Sequence, residues 1–122
     1  MNPIILRWTG RAVSKNRMHV VQRGGRRLIK TREYRAFLDS MVLSWTRYRP
    51  EWPIGRFDVR IDVVLGPRMD AQNVVDPVLD ALEQANIIAN DRNLRTLTLH
   101  RVGVHDQGDD DAIEVVVTGV AS

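Results

Sequence analysis

Between Phe57 and Gly66 the chain alternates apolar and polar residues, with Phe57, Val59, Ile61 and Val63 set against Asp58, Arg60 and Asp62. Successive side chains of a strand point to opposite faces, so this segment predicts a strand with one face in a core and the other in water. Gly66-Pro67 ends it. Such a strand needs a second layer over its apolar face, and helical patterns flank it on both sides. Upstream, Thr31 leads into Tyr34, Phe37, Leu38, Met41, Val42 and Trp45, the spacing of an amphipathic helix that Pro50-Glu51-Trp52-Pro53 breaks. Downstream, Val75, Val78, Leu79 and Leu82 form the stripe of a helix over about residues 73–86, with Asn73, Asp76, Asp80 and Glu83 on its other side. Pro77 disfavours helical geometry in the residue before it, so Asp76 is expected as the N-cap with Pro77 at the first helical position.

Ile4–Trp8 reads as a first strand, and Leu94–Val104 and Ile113–Val120 read as closing strands joined by a hairpin connection over 105–111. The order is strand, basic loop, helix, strand, helix, strand, strand. That is an α+β domain over 1–122, with a mixed sheet of four to five strands and two main helices. A chain of 122 residues supports one core. No apolar run approaches the ~20 residues of a membrane-spanning helix. Met1 to Thr9 lacks the pattern of a secretory signal, and a cytosolic setting is expected. The absence of cysteine excludes disulfides, a thiol nucleophile and a zinc–thiolate site.

Charge is unevenly distributed. Residues 1–32 carry nine basic residues (Arg7, Arg11, Lys15, Arg17, Arg23, Arg26, Arg27, Lys30 and Arg32) and no acidic one. The segment from about 9 to 31 has little periodicity. It reads as a long loop, open to a ribbon turning at Gly24-Gly25. An arginine-rich segment of this kind suits a polyanion, because guanidinium grips phosphate in bidentate fashion. The alternative is a solvated basic arm.

Carboxylates gather instead over 70–91, at Asp70, Asp76, Asp80 and Asp91. Asp70 follows a strand and precedes a helix of about 20 Å. If the next strand pairs beside Phe57–Leu65, Asp91 can return near Asp70. Asn73, Asp76 and Asp80 share a helical face. Converging carboxylates suit Mg2+ or Mn2+, which promote phosphodiester hydrolysis. Helix capping by Asp70 or Asp76 is the competing structural role. Asp109-Asp110-Asp111 reads as a solvated turn, and His19, His100 and His105 lack ligand spacing.

In order along the chain stand Ser14-Lys15-Asn16-Arg17, Gly25-Arg26 and Tyr34-Arg35. Then come Asp70-Ala71-Gln72-Asn73, Asp76, Asp80-Ala81-Leu82 and Asn90-Asp91. From about Trp8 through Val117 this pattern resembles the RusA family of Holliday-junction resolvases. Its centre is Asp-x-Asp-Asn, a lysine three residues later, Asp-Ala-Leu, and an acidic residue about ten further on. The resemblance implies a homodimeric α+β nuclease acting on four-way DNA junctions, without membrane or small-molecule cofactor. It also implies an acidic centre at Asp70 and Asp91, supported by Asn73 and Asp80. Three departures stand out: Gln72 replaces the second aspartate, Asp76 replaces the lysine, and Asn90 replaces an often acidic neighbour of Asp91. Either Asp76 and Gln72 restore the metal ligands, or the chain binds junctions without cutting them. In the first case Asp70, Asp76 and Asp91 are catalytic, Gln72 and Asp80 join them as ligands, and Arg68 or Lys15 replaces the lost charge. DNA contacts then fall to Arg11, Lys15, Asn16, Arg17, Arg26, Arg27, Lys30, Arg32 and Arg68.

Overall fold

A computed structural model describes residues 2–13, 19–21, 28–106 and 108–121, with only backbone pairing described for 19–21 and 28–30. The elements run β1 (Ile4–Gly10), β2 (His19–Val21), β3 (Leu28–Lys30), α1 (Arg32–Trp45), β4 (Phe57–Leu65), α2 (Val75–Gln84), β5 (Leu94–Val104) and β6 (Asp111–Gly119). The result is a small α+β domain with a four-stranded mixed sheet and two helices.

Alternation along β4 does what the sequence predicts. Phe57, Val59, Ile61, Val63 and Leu65 are all buried, while Asp58, Asp62 and Val64 are half-buried and Arg60 is exposed on the opposite face. Because β4 is apolar at every second residue, it can lie inside the sheet, and the strand order is β1-β6-β4-β5. β6 pairs antiparallel with both β1 and β4, whereas β5 pairs parallel with β4. β5 and β6 are therefore not a hairpin, as their spacing had suggested. The 105–110 connection crosses the end of β4, where the His105 amide donates to the Leu65 carbonyl at 3.1 Å.

Both helices close over the buried face. Tyr34, Phe37, Leu38, Met41 and Trp45 of α1, and Val78, Leu79, Ala81 and Leu82 of α2, join the β4 and β6 side chains in one core. Thr31, where the helical pattern was read to begin, caps α1 and accepts from the Tyr34 amide at 3.1 Å. Asp76 does not cap α2. Val74 is the N-cap, Asp76 lies in the first turn and Pro77 is buried within that turn. A preceding 3-10 turn, Ala71–Val74, leads the chain into α2, which removes the need for a side-chain cap. Asn86 follows α2 at φ 60°, a left-handed position that asparagine tolerates better than most residues.

On the water-facing side, charges pair across and along the strands. Arg95 grips Asp58 with two bonds of 3.0 and 2.6 Å, which holds the Asp58 carboxyl below its usual range. Arg7 meets Glu114 at 2.9 Å, and Asp62 meets Arg60 and His100, each at 3.2 Å. Within the basic segment, β2 and β3 form a two-stranded antiparallel ribbon, Val21 opposite Leu28. Residues 22–27, which connect them and include Gly24-Gly25, lie outside the described residues. Among the described residues, no helix is long and apolar enough to cross a membrane.

Ile61 is fully buried midway along the central strand. Ile61→Ala is expected to lower unfolding free energy by about 2–5 kcal/mol through lost burial and a residual cavity. Urea unfolding reads this directly, and a loss below about 1 kcal/mol would contradict the core described.

Candidate nucleic-acid and metal site

The parallel pairing of β4 and β5 sets the geometry of the acidic residues. A parallel neighbour begins at the same end as its partner, and Phe57 stands opposite Leu94. Residues 66–93 must therefore carry the chain from the finish of β4 back to the start of β5. Asp70 lies near the head of this crossover and Asp91 at its foot. The turn after β4 folds back over the edge strand, because Arg101 of β5 donates to the Met69 and Gly66 carbonyls at 2.5 and 2.6 Å. Met69 is half-buried and packs against the core.

Along α2, Asp76, Asp80 and Glu83 recur at four and three residues and share one face, with Asn73 three residues before them. Asp80 is anchored: the Tyr34 hydroxyl donates to its Oδ2 at 3.0 Å and Gln84 donates to its Oδ1 at 3.3 Å. Burial, the neighbouring Asp80 carboxylate and the weaker field of Asp76 raise the Tyr34 phenol above its usual range. At the foot of the crossover, the Asp91 amide donates to Glu83 Oε1 at 3.3 Å. The Asn90 side chain accepts from the Arg92 amide at 2.8 Å and caps the short turn Asp91–Asn93. The acidic residues thus form a band along α2 with Asp70 at one end and Asp91 at the other.

Among the described residues, no three of the His, Asp and Glu side chains stand close enough to hold a metal ion together. Adjacent strands were expected to return Asp91 to Asp70. The strands are adjacent and pair in parallel. Magnesium usually takes one or two carboxylates and completes its octahedron with water and phosphate oxygens. The oxygen donors here suit that kind of site and do not form a closed protein cage. Asp70 occupies the N-cap position of the Ala71–Val74 turn, with no side-chain cap hydrogen bond. Asp70 and Asp91 are both exposed, as are Gln72, Arg68, Arg11 and Arg32. Lys15, Asn16, Arg17, Arg26 and Arg27 lie outside the described residues, and the side chain of Lys30 is likewise undescribed.

No family model matches the chain, and no curated protein matches it.

Sequence reasoning missed two positioning contacts. Glu83 holds the Asp91 backbone, as above. His105 and Asp111, assigned to a surface loop and a solvated turn, form a nearly enclosed pair with only 13% and 11% of their side chains exposed. His105 Nε2 donates to Asp111 Oδ1 at 2.5 Å and Nδ1 donates to the Asp106 carbonyl at 2.6 Å. Two acceptors at two ring nitrogens suit the imidazolium, since neutral histidine has one donor. The Asp111 hydrogen bond, then the Asp106 carbonyl, raise the His105 pKa above 6.5, with weaker help from the charges of Asp111 and Asp109. Asp111 Oδ2 also accepts from the Ala12 amide at 2.8 Å. One carboxylate thereby ties the crossing connection to the stem of the basic segment. The only sequence signal was a histidine and an aspartate six residues apart.

A histidine whose pKa is raised by folding adds stability that is complete below its unfolded value and is lost as pH rises through the folded value. His105→Gln is therefore expected to destabilise the protein most below the histidine's usual 6.5. The difference from wild type should shrink as pH rises above that value. Denaturant midpoints between about pH 5 and 9 measure it, and a pH-independent difference would contradict the charged pair.

Proposed function

We propose that the chain is a subunit of a RusA-type, Mg2+- or Mn2+-dependent endonuclease that cleaves four-way and related branched DNA. The observation that carries this reading is the Tyr34–Asp80 bond. It joins the start of α1, where the basic segment ends at Thr31 and Arg32, to the acidic band of α2. Cations that neutralise phosphate are thus rooted beside carboxylates able to hold a divalent ion. Arg11 and Arg32 flank the segment, and Arg68 precedes Asp70 by two residues. Lys15, Asn16, Arg17, Arg26, Arg27 and Lys30 are the remaining DNA-binding candidates.

In this reading Asp70 and Asp91 are the principal ligands, with Asp76, Asp80 and Gln72 contributing oxygens and Asn73 supporting them. A bound divalent ion supplies an activated water and charge neutralisation at the phosphate. The chain's own residues bind and orient. Arginines position the backbone, Glu83 and Asn90 fix Asp91, and Tyr34 with Gln84 fixes Asp80. The junction has near two-fold symmetry, so a homodimer would present two equivalent sites to opposing strands. Outer strand β5 leaves Leu97, Val102 and Val104 exposed, apolar area that self-association would cover.

A second reading, a protein that binds junctions without cutting them, is favoured by one observation. No three acidic or imidazole groups gather among the described residues. The two readings part in one assay. Labelled four-way junction with Mn2+ or Mg2+ should yield paired symmetric nicks with wild type, and at least about a hundredfold less product with Asp70→Asn. Junction retarded by wild type but uncut under either metal would establish the binding protein, and absence of binding would overturn both.

A further inference from the structure

A second surface, on the opposite edge of the sheet from the acidic crossover, has the chemistry of a nucleic-acid site. The last turns of α1 and the turn Thr46–Tyr48 lie along the outer edge of β1 and enclose an open groove of about 530 Å³. Ile5, Arg7 and Thr9 form one wall, and Leu43, Arg47 and Tyr48 the other. Among the described residues, none that lines it is acidic. Leu43 is 83% exposed and Tyr48 45% exposed. Arg47 lies over the Tyr48 ring at 4.7 Å, which presents a cation and an aromatic face together. Arg7 uses its Nε on Glu114 at 2.9 Å and keeps its terminal nitrogens for another acceptor. Thr9 stands two residues from Arg11, where the basic segment begins.

We propose that this groove binds single-stranded nucleic acid, with a base stacked against Tyr48 and the backbone phosphates met by Arg47 and Arg7. The inference builds on the branched-DNA reading, and the ligand is the unpaired stretch of a branched substrate. Stacking tolerates any base and arginine tolerates any sequence, so the site holds a strand without reading it. An acidic peptide added to the edge of β1 is the rival occupant. That edge is already engaged, because the Trp45 indole donates to the Arg7 carbonyl at 3.1 Å and removes an acceptor that strand addition requires.

The test titrates full-length protein with a fluorescent oligothymidylate and, in parallel, with a fully paired four-way junction. Both groove residues are exposed, and thermal melting verifies that each variant remains folded. Tyr48→Ala should weaken oligothymidylate binding at least about fivefold while Tyr48→Phe retains it. Arg47→Ala should weaken it too, and should reduce the slope of log affinity against log salt by about 0.7. Junction affinity should stay within about twofold of wild type for all three variants. Oligothymidylate binding unchanged in Tyr48→Ala and Arg47→Ala, with junction bound normally, overturns the groove alone. So does displacement of nothing by oligothymidylate where polyglutamate binds through Arg47. Failure of wild type to bind either DNA overturns the branched-DNA reading and the groove with it.

Discussion

Strand β4 is the constraint on which the other elements depend. It is apolar at every second residue, fully enclosed on that face, and hydrogen-bonded on both sides. Because its partner β5 runs parallel, the connection between them must travel the length of the sheet, and a helix is the usual means of doing so. α2 is that connection. Its inner stripe of Val78, Leu79 and Leu82 fills the core, which leaves the outer stripe of Asp76, Asp80 and Glu83 on view. The acidic band is therefore a by-product of topology before it is a feature of chemistry.

The same constraint separates and then reconnects the charges. Apart from Arg7 within β1, the basic residues before position 33 lie in a segment that leaves β1 and returns as α1. Its two roots are each fastened to an acidic residue. Asp111 holds the Ala12 amide at the first root, and Asp80 holds Tyr34 just beyond the second. In the proposed reading, a cationic segment rooted at both ends beside carboxylates would limit how far bound phosphates lie from the acidic band. On the proposed function, this arrangement would relate the fold to DNA without three carboxylate or imidazole groups gathered among the described residues. The phosphate would bring part of the coordination shell with it.

Much of this was legible in the sequence, and the part that was not has a common cause. The alternation of β4, the stripe of α1 and its start at Thr31 are local signals, each set by residues within a few positions. The composition likewise located the basic segment and the acidic stretch. What failed was non-local. β5 and β6 look like a hairpin because they are consecutive, yet β6 is inserted between β1 and β4. Asp76 was expected as a cap because a preceding 3-10 turn leaves no trace in the pattern. His105 and Asp111 meet only because the crossing connection closes over the end of β4, a consequence of strand order that no window of sequence contains.

The central claim is that Asp70 and Asp91 serve one ion-dependent site completed by DNA. Paramagnetic broadening by Mn2+ in an amide NMR spectrum tests it residue by residue, with the protein alone and bound to a non-cleavable four-way junction. The account predicts selective broadening at Asp70, Asn73 and Asp91 that is weak in free protein and strong once the junction is bound. No broadening in the presence of junction, or broadening confined to Asp109-Asp110-Asp111, would contradict it.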